Sequence, residues 1–207
     1  MINNLKKEII KFGKISSDRG LTPGFSGNIS ARCDDKILIT STGSANGFLD
    51  EDDISVIDFD GNLVEGCKKP SSEKLLHIEF YNKRPDINSI FHFHSPYLTA
   101  FAVCSKSLDE CVLPEIIYCF DKIPLAKYSL PGSKDLVEST AKYFDNYDAV
   151  LMENHGVIVG GQDIKDAFLK IEICEAYAKT MVLSKFLGGA KILSEKDVEK
   201  IYDLRSK

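Results

Sequence analysis

Three pairs of short β-type runs, each pair split by a tight turn, constrain this chain more than any other feature. Asn28 to Arg32 and Ile37 to Thr40 flank Asp34-Asp35. Ile54 to Phe59 and Leu63 to Glu65 flank Asp60-Gly61-Asn62, a hairpin signal, and Ala149 to Glu153 and Val157 to Val159 flank Asn154-His155-Gly156. A seventh run, Ile87 to His94, stops at Ser95-Pro96, an N-cap and N1 pair for a helix over Tyr97 to Val103. Helical spacing surrounds the strands. Leu5, Ile9, Phe12 and Ile15 or Ser16 define a first helix from about Asn4 to Arg19, ended by Gly20. Pro70 and Ser71-Ser72 open a short helix carrying Leu75, Leu76, Glu79 and Phe80, and Ser133 caps another with Leu136, Val137, Thr140, Ala141 and Phe144. Asp163 caps the longest, striped by Ala167, Phe168, Ile171, Cys174, Ala178, Met181 and Val182 and ended by Gly188-Gly189; a last short helix runs from Ser194 to Leu204. Hairpins among short strands, with helices before, between and after them, predict a layered α/β or α+β domain. The irregular alternation disfavours a doubly wound parallel sheet.

Composition removes several function classes. With 207 residues and neither repeat nor linker, residues 1–207 read as a single domain. No apolar run approaches the ~18 residues of a bilayer span, and Met1 to Lys11 lacks a signal-type segment, so no membrane partner is expected. A net charge of −5 argues against nucleic acid. The six cysteines, 33, 67, 104, 111, 119 and 174, form no C-x-x-C pair. They predict neither a disulfide framework nor an all-thiolate zinc site, and read as small buried hydrophobes in a reducing cytosol. The expected location is cytoplasmic. Without G-x-G-x-x-G after a strand or a Walker loop, dinucleotide and NTP chemistry has no support.

The four histidines carry the chemistry. In Ile90-Phe91-His92-Phe93-His94, strand alternation sends both imidazoles to one face and both phenylalanines to the other. Four randomly placed histidines would give such an i, i+2 pair only about six times in a hundred. The pair can be surface or hydrogen-bonded histidines, or two ligands of one ion. His155, in the Glu153-Asn154-His155-Gly156 turn, tips the balance: three neutral imidazoles leave a divalent ion its full charge and an open position, the arrangement of a Lewis acid. Glu73 follows Ser71-Ser72 at a helix start. It reads as ordinary N-terminal chemistry or as a base facing that ion, with the serines gripping an anion. His77 shares its helix face and suits a supporting role better than ligation. Ser26-Gly27-Asn28-Ile29-Ser30 and Thr40-Ser41-Thr42-Gly43-Ser44 offer hydroxyls, an amide and close backbone approach. No lysine or arginine accompanies them, so an anion there would rest on neutral donors and helix dipoles.

Gly27-Asn28-Ile29-Ser30, Thr42-Gly43, Pro70-Ser71-Ser72-Glu73, His92-Phe93-His94 and Asn154-His155-Gly156, in this order and spacing, resemble the class II aldolase family of the L-fuculose-1-phosphate aldolase and L-ribulose-5-phosphate 4-epimerase type. The resemblance runs from the first helix to Leu187-Gly188-Gly189. It implies a three-layer α/β/α domain around a mainly antiparallel, mixed central sheet, and a homotetramer with active sites between subunits. It further implies His92, His94 and His155 as ligands of one Zn2+ per subunit, or of another divalent metal, with Glu73 as acid/base. Asn28, Thr42, Gly43, Ser71 and Ser72 become the phosphate cradle. Tyr118, in Ile116-Ile117-Tyr118-Cys119, best matches the tyrosine that an adjacent subunit lends to protonate an alkoxide; the competing reading is an aromatic packed in a strand.

The implied reaction cleaves a phosphorylated sugar, a sugar 1-phosphate like L-fuculose 1-phosphate, to dihydroxyacetone phosphate and an aldehyde, with Glu73 exchanging the carbon-bound proton. Its pKa is expected to rise as substrate closes the pocket. Sister reactions are phosphopentulose 4-epimerisation, sugar-phosphate dehydration and decarboxylation of a phosphorylated oxo acid. The epimerase pattern carries aspartate in place of Glu73. A non-catalytic binding module on the same fold is the alternative from another class, and retention of the three histidines and Glu73 argues against it. Residues 118–132 and the C-terminal segment are expected to set aldehyde specificity.

Overall fold

A computed structural model of the protein describes residues 1–205. Its helices are α1 (Ile2–Asp18), α2 (Lys74–Lys83), α3 (Pro96–Val103), α4 (Pro114–Phe120), α5 (Lys134–Ala141), α6 (Ile164–Phe186) and α7 (Glu195–Arg205). The strands are β1 (Asn28–Cys33), β2 (Lys36–Thr40), β3 (Ile54–Asp58), β4 (Leu63–Glu65), β5 (Ser89–Phe93), β6 (Leu125–Ala126), β7 (Ala149–Met152) and β8 (Gly156–Gly161). They form one sheet in the order β4-β3-β2-β1-β5-β8-β7-β6. Every pairing is antiparallel except β6 with β7. The three short turns each make the hairpin expected of them. Among the described residues no helix is long and apolar enough to cross a membrane.

Strand alternation builds two cores. Ile29, Ala31, Phe91, Phe93, Val157 and Val159 lie under α1, α3, α4 and α6, whose Phe12, Leu98, Phe120 and Phe168 close that side. Ile37, Ile39, Ile90, Val150 and Ile158 face α2 and α5, with Phe80 and Phe144 stacked 4.0 Å apart between them. The result is the three-layer α/β/α arrangement around a mainly antiparallel sheet. Ser133 and Asp163 cap α5 and α6 as their sequence predicts, accepting from Leu136 N and Asp166 N.

Three readings of the sequence fail. Ile116-Ile117-Tyr118-Cys119 is helical, because Pro114 in the first turn and Glu115 behind it favour a helix start over a strand. Ser95 occupies the N-cap of α3 without capping it; Glu175 of α6 does so instead, its two oxygens each accepting at 2.9 Å from Tyr97 N and Leu98 N. Of the cysteines, none in a disulfide among the described residues, only Cys33 and Cys174 are buried; Cys67 and Cys104 lie at the surface, on loop and helix-end positions outside both cores.

Gly161 marks where α6 meets the sheet. Its conformation is open to any residue, yet a Cβ there would fall 2.3 Å from Ala167 N and 2.6 Å from Ala167 Cα, both backbone atoms that cannot swing aside. Gly161→Ala is therefore expected to destabilise the fold by at least about 2 kcal/mol in urea titrations. A midpoint equal to wild type would mean that α6 can lift without cost.

Candidate active site

The candidate site assembles at one end of the sheet. The β1–β5 register sets Asn28 beside His92, and β5–β8 sets His92 beside Ile158. His94 follows the last residue of β5, and His155 sits in the β7–β8 turn, where Asn154 adopts the left-handed conformation that asparagine tolerates. Glycine makes the crowding possible. A Cβ on Gly27, whose φ is +78°, would fall 2.4 Å from His92 O; one on Gly156 would fall 2.4 Å from Phe93 O and 2.8 Å from His94 Cδ2.

The three imidazoles converge. Their ring centroids lie 4.7–5.1 Å apart, and one nitrogen from each comes within 4.8 Å of the others. His92 Nδ1 lies 2.9 Å from Val157 O; a carbonyl only accepts, so Nδ1 carries the proton and Nε2 is turned inward. There it meets His94 Nε2 at 3.3 Å and Glu73 Oε2 at 3.1 Å, while Glu73 Oε1 lies 3.2 Å from His155 Nε2. Asn28 Nδ2 donates to Glu73 Oε2 at 2.9 Å. Glu73 Oε1, Asn28 Oδ1 and His155 Nδ1 are buried with no hydrogen-bond partner among the described residues. Three ring nitrogens and a carboxylate turned toward one point form a pocket suited to a positive charge.

A divalent ion fits that pocket. Two nitrogens on one tetrahedral ion, each at about 2.05 Å, stand about 3.3 Å apart, matching the His92–His94 separation. The donor set, three imidazoles with an anionic carboxylate beside them, suits zinc or a similar transition ion better than the oxygen-seeking magnesium or calcium. The same neighbours set the protonation states. Burial, then the charges of His92 and His155, push His94 down to about 4, so its ring is neutral at neutral pH. Burial alone would lower His92 too, but the adjacent Glu73 charge raises it. Burial pushes the Glu73 carboxyl up, and its neighbours His92 and His155 outweigh that, holding it well below the usual carboxylate range. Glu73 is thus ionised in the free protein; the rise anticipated on closure concerns a state with substrate bound.

A cleft of about 470 Å³ opens onto this cluster. Asn28, Thr42, Gly43, Ser71 and Ser72 all line it, with Ser26, Ser44, Asn154 and Pro131, and no lysine or arginine does. Three of the five are already engaged: Asn28 holds Glu73, the Thr42 hydroxyl donates to Pro70 O at 3.0 Å, and the Ser71 hydroxyl accepts from Glu73 N at 3.2 Å. The backbone N–H groups of Gly43 and Ser72 have no acceptor among the described residues. Tyr118 is not in the lining; it stands half-exposed on α4. Beneath the cleft, Ser30 Oγ lies 2.7 Å from both His77 Nδ1 and Tyr81 OH, so His77 supports the floor and ligates nothing. Sequence reasoning missed the Asn28–Glu73 clamp, because only strand register brings them together, and it missed Glu175, an acid on an apolar stripe four residues after Ile171.

The family model of the class II aldolase and adducin N-terminal domain matches residues 7–182. L-fuculose phosphate aldolase of Methanocaldococcus jannaschii is 42% identical over 179 residues, 86% of this chain and 96% of the relative. The 3-oxo-tetronate 4-phosphate decarboxylase of Haemophilus influenzae is 36% identical over 98% of this chain and 96% of its own length. A solved structure of L-fuculose 1-phosphate aldolase superposes with a TM-score of 0.91 at 33% identity, covering 99% of this chain and 97% of that one.

Burial, then the His92 charge, push His77 from 6.5 down to about 3. The unfolded chain therefore binds a proton on His77 as pH falls below 6.5 while the folded chain does not, so stability drains away with acid until about pH 3. Between pH 7 and pH 5, His77→Gln should lose about 2 kcal/mol less stability than wild type in denaturant titrations. Parallel losses in the two proteins would show that His77 titrates normally.

Proposed function

The chain belongs to the class II aldolase and adducin N-terminal domain family, and from that premise we propose that it is a zinc-dependent aldolase. It would cleave a sugar 1-phosphate of the L-fuculose 1-phosphate kind, reversibly, to dihydroxyacetone phosphate and an aldehyde. The observation that carries this reading is the ionised Glu73, clamped by Asn28 and facing three converging imidazoles at the end of a hydroxyl-lined cleft.

His92, His94 and His155 would hold the ion, which supplies Lewis-acid polarisation of a carbonyl oxygen and so eases loss of a proton from the adjacent carbon. In the condensation direction Glu73 takes that proton. Asn28 fixes one carboxylate oxygen, so the base is aimed before substrate arrives. The N–H groups of Gly43 and Ser72 and the hydroxyls of Ser71 and Ser72 receive the phosphate, joined by the Thr42 hydroxyl once it turns from Pro70 O. Tyr118, lent by a neighbouring copy in a homotetramer, would deliver a proton to the alkoxide formed when the carbon–carbon bond closes; its exposed position on α4 supports that assignment. A cytoplasmic location is part of this reading, in keeping with the sugar-phosphate aldolases that the chain resembles. A second reading, decarboxylation of a phosphorylated oxo acid, has the support of a relative so named that matches almost the full chain.

Metal analysis followed by incubation with L-fuculose 1-phosphate tests the proposal: bound zinc and release of dihydroxyacetone phosphate are expected. Bound metal with carbon dioxide release from a phosphorylated oxo acid, and no aldol cleavage, would replace it by the second reading. His94→Ala should fail to retain metal. Glu73→Gln should retain it while losing about 10²–10⁴-fold in proton exchange at dihydroxyacetone phosphate; undiminished exchange would remove Glu73 from its role.

A further inference from the structure

The three imidazoles are not held alike. The His92 ring is fixed by its own Nδ1–H bond to Val157 O. The His94 ring meets only His92 Nε2, and the His155 ring meets Glu73 Oε1 at 3.2 Å, but neither is anchored to the backbone, and His155 Nδ1 is buried without a partner among the described residues. Their placement therefore depends on the backbone that carries them.

One short helix carries both. α3 begins at Pro96, two residues after His94. Near its other end Ala102 O accepts from Asn154 N, the left-handed residue immediately before His155. The helix is thus a strut between two ligands that lie far apart in sequence. Its N-terminus is pinned by Glu175 of α6, whose two oxygens accept from Tyr97 N and Leu98 N at 2.9 Å each. Glu175 is buried and makes no ion pair among the described residues, so these two N–H groups and the positive end of the helix are what compensate its charge. Ser95, which could have capped the helix, leaves its hydroxyl buried and unpartnered.

We infer that Glu175 is a positioning residue: by holding the N-terminus of α3 it sets the separation of His94 from His155, and through it the affinity and geometry of the metal centre. The inference rests on the metal-binding reading above and adds a residue that touches neither metal nor substrate. Outer supports of metal ligands typically contribute 10–100-fold in affinity.

The test loads wild type, Glu175→Gln, Glu175→Ala and Ile171→Val with Co2+, and reads its visible absorption spectrum, its affinity by chelator competition and the stability of each metal-free protein. Glutamine keeps the packing volume but replaces one of the two acceptors by a donor. Ile171→Val trims one methyl from the buried face of the same helix and leaves both hydrogen bonds from Glu175 to α3 in place. Glu175→Gln should bind Co2+ at least 10-fold more weakly with an altered spectrum, and Ile171→Val should lose stability only. Should Glu175→Ala not fold, Glu175→Gln against Ile171→Val still decides. If Glu175→Gln keeps wild-type affinity and spectrum, or if metal affinity merely follows stability across all variants, Glu175 is a structural cap and the inference fails. A wild type that takes up no Co2+ would instead overturn the metal reading beneath it.

Discussion

A carboxylate taken out of water must be compensated, and Glu73, only 8% exposed, is the charge around which this end of the molecule is organised. Its oxygens meet an amide from β1, an imidazole from β5 and an imidazole from the β7–β8 turn. An unpaired buried carboxylate would cost several kcal/mol or pick up a proton. Here it stays ionised because three separate elements converge on it. Each of those elements is held in place by something else: strand pairing for Asn28 and His92, and α3 for the turn that presents His155.

Convergence of that kind needs backbones closer than side chains normally permit. Gly27 and Gly156 sit where a Cβ would strike the carbonyls of His92 and Phe93. They allow β1 and β8 to close on the end of β5 from both sides. The register is equally unforgiving. A one-residue slip of β5 would turn His92 toward the α1/α6 core and Phe91 or Phe93 toward the cleft. The phenylalanines, fully buried on the opposite face, make that slip costly. The apolar half of β5 therefore enforces the position of its polar half.

This explains what could be read from the chain beforehand. Period-two alternation in Ile90-Phe91-His92-Phe93-His94 and hairpin turns at 60–62 and 154–156 are local signals, and the strands, the two-faced β5 and the three-histidine cluster followed from them. The helix caps at Ser133 and Asp163 were legible for the same reason: the cap and its acceptor are neighbours in sequence. What was not legible depends on distant partners. Asn28 looked like an anion donor because nothing within a few residues shows that Glu73 will claim its amide. Ser95-Pro96 has the right cap chemistry, but Glu175, eighty residues on, supplies a stronger acceptor. Tyr118 sits among residues of high strand preference, and Pro114 with the packing of α4 against α6 and α7 overrides them.

The neutral lining of the cleft follows from the same buried charge. A lysine or arginine within reach of a bound phosphate would also be within reach of Glu73, since Asn28, Ser71 and Ser72 line one cavity with it. It would pair with the carboxylate, lower its basicity and displace the imidazoles that now compensate it. Hydroxyls and backbone N–H groups can hold an anion without that competition. The consequence is electrostatic dependence. With a net charge of −5, an ionised Glu73 and no lysine or arginine in the lining, the cleft offers a phosphate ester little fixed positive charge of its own. On the proposed reading, the positive charge that draws such a ligand in is the ion held between the three imidazoles, so that anion affinity rises with metal occupancy.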